Sequence, residues 1–243
     1  MTAGMKVDQV EREVTVMTAG RALSGTLGLP HGATGVVLFA HGSGSGRFSP
    51  RNQFVAGILQ AAGLGTLLID LLGEDEAGDR RKVFDIELLA DRVLASALWL
   101  IHETETAGLR LGYFGASTGA AAALVAAARR PELVAAVVSR GGRPDLARAD
   151  LPDVTAPTLL IVGGLDEDVL ELNRQALALL CCPRELVVVP GATHLFPEPG
   201  ALGEVARLAT RWFRQHLCGV SVPPRGRPAP KEDDVGPGRS GAT

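Results

Sequence analysis

LRLGYFGASTGAAAALVAAAR, residues 109–129, is the stretch that decides the fold. Its first part is a short apolar run, and residues 109–114 are predicted to form a buried strand. Its last part is rich in alanine, and residues 118–129 are predicted to form a helix closed by Pro131. Gly115-Ala116-Ser117-Thr118-Gly119 joins the two and fits the pattern G-x-S-x-G. Such a turn forces its serine into strained backbone geometry and lifts the hydroxyl clear of the strand end. Small neighbours let the strand and helix approach closely. A plain strand-to-helix turn could use the same small residues, so the surroundings must decide between the two.

Outward from this stretch the chain alternates. Residues 10–16 and 21–29 read as a hairpin-like pair of strands. Further strands are predicted at 35–40, 65–70, 133–138, 158–162 and 185–189. Helices are predicted at 50–62, 84–102, 169–180 and 202–217. In the helix at 84–102, Ile86, Leu89, Val93, Ala97 and Leu100 share one side. Continuously apolar strands that alternate with helices imply an α/β domain, with a mostly parallel sheet covered on both faces. There is no internal repeat. The globular domain is expected over residues 5–219. Residues 220–243 are rich in Pro, Gly and charge, lack apolar periodicity, and are expected to be disordered.

Composition narrows the function. Of 243 residues, 46% are hydrophobic but only 4% aromatic, so the core must rest on Leu, Val and Ala. A net charge of -3 argues against a nucleic-acid partner. No apolar run is long enough to span a membrane. The opening MTAGMKVDQVEREV turns charged where a signal peptide needs its apolar core, so a cytoplasmic location is expected. Cys181, Cys182 and Cys218 are odd in number and lack zinc-type spacing, so neither a disulfide framework nor a metal site is expected. Cys181 and Cys182 read as small apolar residues near a helix end.

A serine hydroxyl needs a base to become a nucleophile. Among five histidines, His194 lies in Pro190-Gly-Ala-Thr-His-Leu-Phe196, after a strand expected to be buried and before the last helix. That is where a base would be delivered to the carboxyl edge of the sheet. The orienting carboxylate is expected between serine and histidine in sequence. Asp166 follows the strand at 158–162 directly, with Asp168 as its rival two residues on. Capping the next helix would be Asp166's structural alternative. An oxyanion needs two backbone N–H donors aimed at one point. Thr118, just after the nucleophile, offers one. Ser43, in the glycine-rich turn His41-Gly-Ser-Gly-Ser-Gly46, offers the other. That turn also joins a strand to a helix, but it lacks the Lys-Ser/Thr ending of a phosphate-binding Walker loop and misses G-x-G-x-x-G. Candidate substrate contacts are His41, Arg140 and Arg143, with Arg47 and Arg51 of similar standing. The arginines could grip a carboxylate or pair with acids such as Asp145.

The order Ser117, Asp166, His194 is that of α/β-hydrolases. FAHGSGSGR, GYFGASTGAAAAL, IVGGLDEDVLELN and VPGATHLF together resemble the dienelactone hydrolase-like branch of that superfamily, over about residues 20–218. The chain is similar to bacterial domains often joined to a phosphoribosyltransferase domain; no such second domain is read in these residues. The resemblance implies a sheet of about eight strands, a Ser-Asp-His triad, a small-molecule acyl substrate, and no metal or organic cofactor. It also marks a departure. Dienelactone hydrolases proper use a cysteine nucleophile, whereas Ser117 stands here. An ester, thioester or lactone is therefore the expected substrate class. Serine peptidase, acyltransferase and non-catalytic binding domain are the alternatives. About twenty residues separate the strand ending near Val138 from the one starting near Thr158, so no large cap domain is expected.

Overall fold

The computed structural model describes residues 9–218. Residues 1–8 and 219–243 lie outside that range, and with them the expectation of a disordered tail. Strand β1 (Gln9–Thr18) turns back into β2 (Arg21–Pro30), and the pair is antiparallel in unbroken register. There follow β3 (Val36–Ala40), helix α1 (Pro50–Ala61), β4 (Gly65–Ile69), two short helices α2 (Glu74–Ala77) and α3 (Arg80–Val83), and α4 (Ile86–His102). The second half runs β5 (Leu111–Ala116), α5 (Thr118–Arg129), β6 (Ala136–Arg140), β7 (Thr158–Gly163), α6 (Glu167–Leu179), β8 (Arg184–Val189) and α7 (Ala201–Leu217). Only two short 3-10 turns occupy the stretch between β6 and β7, so no cap domain covers the sheet there.

All eight strands form one sheet in the order β1-β2-β4-β3-β5-β6-β7-β8. The hairpin joins antiparallel through β2 and β4, and the remaining pairs are parallel. Every residue of β3, β4, β5, β6 and β7 is buried, which explains their continuous apolar runs. Parallel strands need crossovers, and the helices they carry fall into two layers. One core packs α4 and α5 on one face of the sheet, and the other packs α1 and α7 on the opposite face. In α5 every residue from Thr118 to Ala127 is buried. Only alanine-sized side chains let a helix sink that close between the sheet and α4.

As expected, the core rests mostly on Leu, Val and Ala; Tyr113, Phe39, Phe114, Phe196 and Phe213 are its largest fully buried side chains, while Phe48, Phe54 and Phe84 are exposed. One expectation changes. Strand β8 is an edge strand rather than a buried one; Arg184 is exposed and Val188 is 38% exposed. Its run of valines is apolar enough for an interior position, but among the described residues no ninth strand pairs with its free side. No helix among the described residues is long and apolar enough to cross a membrane.

Candidate active site

Helices and strands run in opposite directions here, so strand ends and helix starts meet along one edge of the sheet. Ser117 stands on that edge between β5 and α5, with φ 50 and ψ -124. A non-glycine residue at positive φ is strained, typically by one to three kcal/mol, and the surroundings hold it there. Its carbonyl accepts from the backbone N–H of Ala120 and of Arg143, each at 3.1 Å. Glycine is needed at two neighbouring places. A Cβ on Gly119 would lie 2.2 Å from the Ala40 carbonyl oxygen, and one on Gly42 would lie 2.8 Å from the Ser117 Cβ. The nucleophile turn therefore nests against the loop leaving β3.

Asp166 ends the turn after β7, and His194 sits in the loop after β8. The Asp166 carboxylate Oδ2 accepts from His194 Nδ1 at 2.7 Å. Although Asp166 occupies the N-cap position of α6, its side chain makes no capping bond and turns to the imidazole instead. Asp168, in the first turn of the same helix, is exposed. The imidazole packs over the loop that follows β6: a Cβ on Gly141 would be 3.5 Å from His194 Nδ1. The same loop supplies the Arg143 N–H that holds the Ser117 carbonyl. It is pinned in turn by buried Asn173, whose amide donates to the Gly142 carbonyl at 3.0 Å. The backbone N–H groups of Ser43 and Thr118 donate to no other group among the described residues.

The candidate substrate contacts divide. His41 is buried, and both ring nitrogens are taken. Nδ1 donates to the Gly42 carbonyl at 2.9 Å, and Nε2 accepts from the Leu71 N–H at 2.8 Å. With both nitrogens engaged, it fastens the Ser43 loop to the end of β4. Burial depresses its pKa and keeps it neutral. Arg143 is also committed, by a bidentate pair with Asp145 at 2.8 Å in both bonds. Arg47 reaches Glu13 and Asp70. Arg140 is 7% exposed, and its Nε and Nη1 have no partner.

Sequence reading missed a buried cluster beneath the same loop. Glu76 bridges Arg92 at 2.7 Å, Lys82 at 2.8 Å and Arg21 at 2.8 Å. Hydrogen bonds from Arg92, then those from Lys82 and Gly73, hold the Glu76 carboxyl far below its usual range. Arg92 also donates to the Leu71 carbonyl at 2.6 Å. Leu71 thus links the ion cluster to His41 and the oxyanion loop. A signal existed in the sequence, because Arg92 and Asn173 are polar residues on the apolar faces of their helices. A groove of about 900 Å³ between α1 and α7 includes Ala62 and Cys218 at the helix C-termini, the far edge of the sheet from Ser117.

Comparison with known proteins identifies the family and agrees with the fold. Residues 74–217 match the model of the dienelactone hydrolase family. A Mycobacterium tuberculosis protein named as a phosphoribosyl transferase is 56% identical over 209 residues, 86% of this chain but 47% of that protein. The chain thus spans about half the length of that relative. The crystal structure of a dienelactone hydrolase from Anabaena variabilis is 57% identical, covers 86% of this chain and 99% of its own, and has a TM-score of 0.84. Est1E from Butyrivibrio proteoclasticus, at 16% identity and a TM-score of 0.72, shares the fold. The chain is an α/β-hydrolase, and it belongs to the dienelactone hydrolase family.

Proposed function

We propose that the chain is a serine hydrolase that cleaves a carboxylic ester, thioester or lactone through an acyl-enzyme. The carrying observation is the 2.7 Å Asp166–His194 pair on the same sheet edge as a serine held at positive φ. With Nδ1–H bound to the carboxylate, the His194 Nε2 lone pair is the free base. It takes the Ser117 proton as Oγ attacks the carbonyl carbon, and the carbonyl electrons move to oxygen. In this reading the Ser43 and Thr118 N–H groups, which have no partner among the described residues, receive that oxyanion. Collapse expels the alcohol or thiol, which takes the proton from the imidazolium; for a lactone the leaving oxygen stays tethered. Water, deprotonated by the same imidazole, then splits the acyl-enzyme and restores Ser117. Asp166 keeps the imidazole oriented and stabilises its charged form.

Labelling by a fluorophosphonate tests this reading against a non-catalytic binding domain. Wild-type protein should label at Ser117, and Ser117→Ala should neither label nor turn over p-nitrophenyl butyrate above about one part in 10⁴–10⁶. Full esterase activity in Ser117→Ala refutes the assignment. A cysteine nucleophile is the reading that would then follow. Amide and acyl-acceptor substrates in the same assay separate peptidase and acyltransferase activity from ester hydrolysis.

A further inference from the structure

We propose that Arg51 and Arg140 form an anion-binding subsite beside the nucleophile strand. Arg140 ends β6, paired in register with Ala116 on β5, the residue before Ser117, and with Ile161 on β7. Val138, two residues earlier, belongs to the core under α1 and α7, so Arg140 faces the same layer. Arg51 lies in the first turn of α1. Its Nε is buried without a partner, as are Nε and Nη1 of Arg140. The charged neighbour that Arg140 senses is Arg51. Burial first, and that second cation next, push the Arg140 pKa down to about 10.

Two guanidinium groups in the α1 and α7 layer, each with a buried nitrogen that has no partner among the described residues, contrast with their neighbours. Arg143 and Arg92 both hydrogen-bond acidic partners from the chain itself. A buried unpaired guanidinium is costly, and a second cation beside it raises the cost. A bound anion would remove both penalties. The guanidinium fork suits a carboxylate or a phosphate group, gripped by two parallel N–H bonds. The α1 N-terminus adds to the positive field, because its first turn holds no acidic residue and Ser49 makes no side-chain cap. The anion has two sources: a free ion, or a charged group on the substrate. The second rests on the hydrolase reading above; binding of the anion itself does not.

The test uses wild-type protein, Ser117→Ala, Arg140→Met and Arg51→Gln. Thermal melting is followed against sodium phosphate and sodium glutarate, with chloride adjusted to hold ionic strength constant. At least one of the two anions should raise Tm saturably in both wild type and Ser117→Ala. Each arginine variant should weaken that anion's Kd by about tenfold or more, the usual worth of a charged hydrogen bond. In parallel, kcat/KM is measured for mono-p-nitrophenyl glutarate and for neutral p-nitrophenyl butyrate. If the anion rides on the substrate, the charged-to-neutral ratio falls about tenfold in Arg140→Met. If it is a free ion, the ratio holds while anion binding is lost. No saturable rise in wild type with either anion, or an undiminished rise in both arginine variants, overturns the subsite. Because Ser117→Ala is tested for binding, failure of the serine mechanism would not be mistaken for failure of the subsite.

Discussion

Glu76→Ala should be among the most damaging single changes in the protein, although Glu76 lies outside the proposed catalytic triad. Its side chain is 6% exposed and that of Arg92 is 7% exposed, so solvent does little to screen the pair. Removing the carboxylate leaves a buried guanidinium whose remaining bond is to the Leu71 carbonyl. Breaking a buried pair from one side costs about 3–5 kcal/mol. The 210 described residues carry an unfolding entropy of roughly 0.4 kcal/mol/K, so Tm should fall by about 7–11 °C. Replacing both partners, as Glu76→Leu with Arg92→Met, removes the orphaned charge. That double variant should lose only about 1–2 kcal/mol, chiefly the bond to Leu71. Glu76→Leu, Arg92→Met, the double variant and wild type form a cycle that equilibrium urea unfolding can measure. A Glu76→Ala cost below about 1 kcal/mol, or a double variant as unstable as the single, would refute the claim that burial makes this pair matter. The single variant should also lower kcat, because Leu71 anchors His41 and the oxyanion loop.

The remaining predictions concern the site and its supports. Asp166→Asn should lower kcat on p-nitrophenyl butyrate by about 10⁴-fold, the scale seen when a triad histidine loses its orienting charge; Asp168→Asn, at an exposed position, should stay within a few-fold. Stability should decline in two stages on acidification, read as Tm against pH. His41 has a folded pKa depressed by burial, so the unfolded chain takes up that proton first, and stability is lost as pH falls below about 6.5. Glu76 has a folded pKa depressed by Arg92, so its contribution is present above about 4.5 and is lost below it. His41→Ala should shrink the first stage, leaving the part that His216, also depressed by burial, contributes, and should cost about 1–3 kcal/mol by stranding the buried Leu71 N–H. Gly119→Ala should destabilise the fold by more than about 3 kcal/mol, measured by urea unfolding, because its methyl would strike the backbone carbonyls of Ala40 and His41.

What the sequence determined by itself was whatever repeats locally. Continuous apolar runs at 35–40, 65–70 and 109–114 marked strands buried on both faces, and amphipathic spacing marked the long helices. The serine turn was legible because G-x-S-x-G is a contiguous pattern whose small residues serve one local geometry. Boundaries slipped where a turn competed with a strand: Pro131–Leu133 forms a 3-10 turn, so β6 starts at Ala136 rather than near 133. Only the tertiary structure decided pairings across the chain. Asp166 and His194 are 28 residues apart and meet because β7 and β8 are neighbours in the sheet. Arg143 looked as free as Arg140 in sequence, yet one found Asp145 within its own loop and the other was buried at the end of β6 with two nitrogens left without a partner. The exposure of β8 follows from its place at the end of the strand order among the described residues, which no local pattern records. Periodicity reports which face of an element is buried. Which charge meets which is set by strand order and by the reach of each side chain across it.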